Sequence, residues 1–213
     1  GGIALQAEDE LSAVNMAIGA AMTGTRTMTA TSSPGFALML EGITQSGAAE
    51  VPLVIVNSQR AGPSTGMPTK PEQSDLGMMI HGGNGEFPRI ILVPGGPADC
   101  FDAGVTATNV AQKIQGPVII AVDQAIAQDL RTVDSFDLDA VTIELGARIG
   151  VDELSKIDEY KRYAITDDGV SPWALPGTRD GMTLVTGNER NDWGLVSTEP
   201  TNRKAMMDKR YRK

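Results

Sequence analysis

The sequence predicts an α/β protein, with a doubly wound, mostly parallel sheet followed by an extended C-terminal arm. Three observations point there. The strongly apolar runs "PLVIV" (52–56), "RIILV" (89–93) and "PVIIAV" (117–122) read as strands buried on both faces. Segments with helical spacing of apolar residues alternate with strand-like runs up to about residue 130. After Leu130 the texture changes to short mixed runs with many acids and no long buried strand. Alternating strands and helices imply right-handed βαβ units, whose ligands sit at the carboxyl ends of the strands. The expected division is a domain over 1–130 and an arm over 131–213, packing on a neighbour.

Each element has its own signal. "IALQ" (3–6) is a short apolar run that reads as the first strand. It hands over to "ELSAVNMAIGAAMTG", where Leu11, Val14, Ile18, Ala21 and Met22 recur at helical spacing. "TMTAT" (27–31) is β-branched and alternating. "SSPG" supplies an N-cap and places Pro34 near a first helical turn. The helix that follows carries Phe36, Met39, Leu40 and Ile43 on one face. "GPADCFDAGVTATNVAQKIQG" reads as a helix closed by Gly116. The last stretch, "NRKAMMDKRYRK", reads as a solvated helix or a docking segment.

Composition narrows the function. With 213 residues, 41% hydrophobic and 21% charged, the chain can bury a real core and is neither disordered nor membrane-spanning. No apolar run approaches the roughly 20 residues that cross a bilayer. A net charge of −9 argues against a nucleic-acid surface, which needs clustered cations. The lone Cys100 excludes a disulfide, a cysteine-ligated zinc site or an iron–sulfur cluster within this chain. A reducing cytoplasm fits. The opening "GGIALQAEDE" has neither the basic region nor the apolar region of a signal peptide, nor an initiator methionine. The chain therefore reads as a piece of something longer.

The stretch "QRAGPSTGMPTKPEQSDL" (59–76) follows the buried run "PLVIVN". A plain connector needs only two to six residues, so a long loop rich in polar donors on a rigid strand reads as a working surface. Within it, "GPSTG" matches a nucleophile elbow, with Ser64 as the nucleophile of a serine hydrolase. Pro68 and Pro71 forbid the helix that must follow such an elbow. The only histidine, His81, would have to be the base, although a lone histidine is more often structural. "GMPTK" lacks the core of a Walker loop. In "QAEDEL" (6–11), helix N-terminal charge accounts for Asp9 and Glu10. It accounts poorly for Glu8, at the strand's exit, where a carboxylate faces the ligand cleft.

The run "QAEDELSAVNMAIGAAMTGTRTMTATSSPGFALMLEGI", then "VPLVIVNSQRAGPSTGMPTKPEQSDL", resembles the α subunit of 2-oxoacid:ferredoxin oxidoreductases of the 2-oxoglutarate type. "HGGNGEFPRIILVPG", "PVIIAVDQAIAQDLRTVDSFDLD" and "DGVSPWALPGT" extend the resemblance in order along nearly the whole chain. It implies a thiamine diphosphate-binding fold, here the pyrimidine domain and its following arm. It also implies oxidative decarboxylation of a 2-oxoacid to acyl-CoA, with reduction of ferredoxin. A relative kept only as a structural subunit is the non-catalytic alternative.

The resemblance assigns roles residue by residue. Glu8 matches the glutamate that hydrogen-bonds N1′ of the aminopyrimidine and serves in catalysis. Arg60 matches the arginine near the substrate carboxylate, and Ser64 and Thr65 match the loop beside the bound 2-oxoacid. A carboxylate favours the tautomer that takes up the thiazolium proton, and a fixed guanidinium suits a 2-oxoacid's carboxylate. The family's Tyr-Pro-Ile-Thr-Pro motif is expected before residue 1, and a further domain after Lys213. With no phosphate-cradling loop or acidic metal motif here, magnesium, diphosphate and an iron–sulfur cluster are expected on a partner β subunit. The assembly is expected to be a hetero-oligomer.

Overall fold

Four parallel strands carry the architecture of the computed structural model, which describes residues 2–213. In chain order the first elements are α1 (Glu10–Met22), β1 (Met28–Thr31), α2 (Ser33–Ala49), β2 (Leu53–Gln59) and α3 (Leu76–His81). Then come β3 (Ile90–Leu92), α4 (Pro97–Ile114), β4 (Pro117–Asp123) and α5 (Gln124–Gln128). The sheet order is β1-β2-β4-β3, so β2 and β4 are interior and pair from Leu53↔Pro117 to Gln59↔Asp123. Their apolar composition follows from burial on both faces. Leu53 and Ile55 face α1 and α2 with Val14, Ile18, Phe36, Met39 and Ile43. Val54, Val118, Ile120 and Val122 face α4 through Ala107 and Ala111. Helices on both faces make the sheet doubly wound, as its sequence implied.

Four expectations need correction. Residues 3–6 form no strand, because nothing among the described residues pairs with them or with the outer edge of β1. Ile3 and Leu5 are 88% and 72% exposed, and clefts separate this stretch from β1. Leu11 is exposed, and Ala17 joins Val14, Ile18 and Ala21 on the buried face of α1. Gly42 of α2 lets that face pack closely, since a Cβ at 42 would press into Val14 at 2.8 Å. β3 is only half-buried because it is the sheet's other edge. Finally, α4 is closed by Gln115 in the left-handed region (φ 51°), one residue before Gly116. Gln115 accepts that conformation because its amide donates to the Ser171 carbonyl and receives Arg162.

The arm holds β5 (Arg148–Ile149), α6 (Val151–Leu154), β6 (Trp173–Ala174) and α7 (Pro200–Arg210), with β5 and β6 paired in parallel. Its basic end is not solvated. It docks onto the sheet domain around Glu50, the left-handed C-cap of α2, which is fully buried. Lys209 Nζ donates to both Glu50 oxygens at 2.8 and 3.0 Å, and Lys213 Nζ lies 2.6 Å from the carboxylate. Arg162 donates to the Glu50 carbonyl at 2.7 Å. Glu189 pairs with Arg203 and Arg210 on the same side. Among the described residues, no helix is long and apolar enough to cross a membrane.

Candidate active site

Parallel strands leave their polar backbone ends and following loops at one rim of the sheet, where ligands of such folds sit. β1 stops at Thr31 opposite Asn57, and β2 runs on to Gln59 before the chain enters the 60–75 loop. Most of that loop is exposed, yet internal bonds fix its path. Ala61 and Met67 form an antiparallel bridge, and Ala61 and Lys70 are linked at 3.0 Å. Gly66 turns the chain at φ 54°, where a Cβ would overlap the Ala61 carbonyl oxygen, so the turn requires glycine. Glu72 accepts the Gly62 N–H at 3.1 Å, and Gln124 donates to the Pro68 carbonyl at 3.3 Å. Gln73 donates to Asp123 at 2.8 Å. The Ile126 N–H, then the Gln73 amide, hold the Asp123 carboxyl below its ordinary range.

Arg60 stands at the start of this loop, half-buried. Among the described residues its guanidinium enters no ion pair, and its Nε is buried without a hydrogen-bond partner. A surface pair with Glu72 or Asp75 is therefore not what holds it. Both carboxylates are engaged elsewhere, Glu72 by Gly62 and Asp75 by Ser33 and Asn57. Ser64 (φ 56°) and Thr65 lie exposed on the same loop. Ser64 makes no side-chain bond to His81, which ends α3 on the surface, so the nucleophile–base contact of a hydrolase is missing.

The three adjacent carboxylates divide their work. Asp9 is the N-cap of α1 and accepts the Ser12 N–H at 2.7 Å. Glu10 accepts the Thr31 hydroxyl at 3.4 Å, at the end of β1. Gly35 permits this contact, since a Cβ there would overlap Thr31 Oγ1 and crowd Glu10. Among the described residues, the Glu8 side chain has no hydrogen-bond or ion-pair partner. It lies exposed in a cleft of about 690 Å³ formed with Glu10, Met28, Thr29, Ala30 and Met39. Of the three, only Glu8 offers a carboxylate with its acceptor capacity intact. Arg60 does not line that cleft. Arg60 is instead tied to the start of α2, where Ser33 accepts its N–H at 2.9 Å.

Beneath the loop lies a polar cluster that the sequence reading missed. Ser33, Asn57, Gln59 and Asp75 are all buried and bonded to one another. The available signal was the abrupt change from "LVIV" to "NSQ" within one strand. A buried strand that turns polar at its carboxyl end must find partners there.

Residues 2–166 match the family described as "Pyruvate flavodoxin/ferredoxin oxidoreductase, thiamine diP-bdg". The chain belongs to this family. Among curated members, it is 45% identical over 213 residues to the 2-oxoacid:ferredoxin oxidoreductase 1 α subunit of Sulfurisphaera tokodaii, covering 99% of this chain and 33% of that protein. It is 36% identical to the 2-oxoglutarate oxidoreductase subunit KorA of Mycobacterium tuberculosis, over 99% of this chain and 32% of that one. The chain thus spans about a third of the length of these members. A solved 2-oxoglutarate:ferredoxin oxidoreductase from Magnetococcus marinus, with 2-oxoglutarate, coenzyme A and succinyl-CoA bound, matches with TM-score 0.94 and 40% identity. That match covers 100% of this chain and 36% of the solved one. The resemblance read from the loop and the acidic turn is borne out, and so is the thiamine diphosphate-binding fold.

The family's cofactor fits the donor set in part. The unpartnered Glu8 beside an open cleft suits a ring nitrogen that needs a carboxylate acceptor. Among the described residues no group of three or more His, Cys, Asp or Glu side chains could hold a metal ion.

Proposed function

We propose that this chain is the pyrimidine-binding part, residues 1–130 with the 131–213 arm, of an α subunit of a 2-oxoacid:ferredoxin oxidoreductase. The activity is oxidative decarboxylation of a 2-oxoacid such as 2-oxoglutarate to acyl-CoA, with electrons passed to ferredoxin in the cytoplasm. The observation that carries the reading is the free carboxylate of Glu8, in a cleft at the rim of a sheet that superposes on a 2-oxoglutarate enzyme. When bound, thiamine diphosphate supplies the carbon nucleophile and the electron sink for loss of carbon dioxide.

The roles of this chain's residues follow from their chemistry. Glu8 accepts a hydrogen bond from N1′ of the aminopyrimidine and so biases the proton on the neighbouring amine. Arg60 binds the carboxylate of the 2-oxoacid, and its buried, unpartnered Nε supports an anion as the missing partner. Ser64 and Thr65 offer hydroxyls to the same substrate from an exposed, tethered loop. Magnesium, the diphosphate and an iron–sulfur cluster are assigned in this reading to a partner β subunit; the stretch itself carries one cysteine, and among its described residues no group of three or more His, Cys, Asp or Glu side chains could hold a metal ion.

Steady-state kinetics of the assembled enzyme tests the reading. Glu8→Gln should lower turnover by about 10² to 10⁴, the usual loss when a general acid–base relationship is removed. Arg60→Ala should cost roughly 2–5 kcal/mol in kcat/KM for the 2-oxoacid. Arg60→Lys keeps the charge but loses the planar fork, so it should mainly raise KM. Unchanged kinetics in both Glu8→Gln and Arg60→Ala would remove the proposal's basis.

A further inference from the structure

The geometry points to Asp75 as a positioning residue that aims Arg60, acting through the hydroxyl of Ser33. The inference rests on the reading of Arg60 as the ligand of the substrate carboxylate. Asp75 is buried at 9% exposure, beneath a loop whose residues 62–74 are all exposed. The Gly62–Glu72, Gln124–Pro68 and Gln73–Asp123 bonds tether the middle of that loop, and aiming Arg60 also calls for buried polar anchors where it begins and ends. The structure provides them at both ends.

Asp75 Oδ2 receives the Ser33 hydroxyl at 2.5 Å and the Asn57 amide at 3.0 Å. The Asp75 N–H donates to Gln59 Oε1 at 3.0 Å, so the exit of the loop is bonded to the end of β2. Ser33 Oγ in turn accepts the Arg60 N–H at 2.9 Å, at the start of the loop. A hydroxyl has a single proton to give. Ser33 also lies 3.3 Å from the Arg60 carbonyl, but the Asp75 oxygen at 2.5 Å is much the closer acceptor. The proton therefore goes to Asp75, which leaves a Ser33 lone pair facing the Arg60 N–H. One carboxylate thus sets the direction of one hydroxyl, and that hydroxyl sets the backbone from which the guanidinium projects. Ser33 belongs to the first turn of α2, so the relay references Arg60 to a helix packed against the core.

The test is a double-mutant cycle in the assembled enzyme, with ferredoxin and CoA saturating. Asp75→Ala should raise KM for the 2-oxoacid about tenfold or more, with kcat changed less than threefold and KM for CoA unmoved. A merely structural loss has no reason to spare CoA. Combined with Arg60→Ala, it should add little, because a residue that acts only through Arg60 has nothing left to aim. Ser33→Ala should reproduce the rise in KM and supplies the answer if Asp75→Ala does not fold. Asp75→Asn should recover part of the loss, since its amide oxygen can still accept the Ser33 proton. Effects of Asp75→Ala and Arg60→Ala that multiply, or an unchanged KM in both Asp75→Ala and Ser33→Ala, would overturn the inference and leave the Arg60 reading intact. A silent Arg60→Ala would overturn both.

Discussion

Replacing the buried Glu50 with glutamine should strongly destabilise this chain. The carboxylate is fully buried and faces Lys209, Lys213 and Arg162. Burial pushes Glu50 up, but Lys213, then Lys209 and Arg162, outweigh it and hold it at about 2 instead of 4.5. A carboxyl depressed that far contributes about 3 kcal/mol, present above its unfolded value near 4.5 and lost as pH falls toward 2. Removing one partner of a buried ion pair costs about 3–5 kcal/mol, which agrees in size. For a chain of 213 residues this is a fall in Tm of roughly 6–20 °C. Lys209 pulls the other way. Burial lowers it to about 8, with Lys213 and Arg162 adding repulsion, so its proton is disfavoured in the folded state. Its shift alone argues a cost at pH 7 that fades as pH rises through 8 toward 10.5. The geometry favours the charged pair, since Nζ sits within 3.0 Å of both oxygens, and the surplus cation explains the lowered lysine. In Glu50→Gln both lysines are stranded, so the deficit should be largest at pH 7 and narrow by about pH 10. Thermal unfolding of the two proteins across that range is the assay. A deficit under about 3 °C at pH 7, or one that does not vary with pH, would refute this account.

The parts of the fold legible in the sequence were those fixed by local composition. β2 and β4 are interior strands, and "LVIV" and "PVIIAV" could be little else. Phe36, Met39 and Ile43 repeat at helical spacing, and all three are fully buried in α2. What escaped depends on distant partners. Residues 3–6 have strand composition, but a strand exists only where a neighbour supplies a ladder, and none pairs with them here. Gln115 takes the left-handed position ahead of Gly116 because Ser171 and Arg162 hold its amide. The basic end read as either a solvated helix or a docking segment, because the counterion of Lys209 lies 159 residues away, and it docks. At the candidate site, Glu8 and Arg60 were visible as charges at the ends of apolar runs. The Ser33–Asn57–Gln59–Asp75 cluster was hinted at only by the polar end of β2, since Ser33 in α2 and Asp75 before α3 come from elements distant in sequence that only the fold brings to Asn57 and Gln59.

Three further outcomes follow from local geometry. Gly66→Ala forces a Cβ onto the Ala61 carbonyl at a positive φ, so the assembled enzyme should show a raised KM for the 2-oxoacid with unfolding little changed. Gly35→Ala should wedge Thr31 from Glu10 at the start of α2, lowering turnover more than the small gain in helix propensity could offset, as activity and Tm measured together will show. The last concerns the chain by itself. Glu8 can satisfy one ring nitrogen, which is a small part of what holds a diphosphate-bearing cofactor. The diphosphate's charge needs a metal or a nest of donors, and no metal-holding cluster exists among the described residues. Calorimetry of this 213-residue chain with thiamine diphosphate and magnesium should therefore show binding weaker than about 10 μM, corresponding to less than roughly 7 kcal/mol. Adding the partner subunit should tighten it by at least tenfold, and Glu8→Gln should then weaken it again. Submicromolar binding by the isolated chain would mean that the diphosphate site is built from these residues after all, and the two-subunit reading would fall.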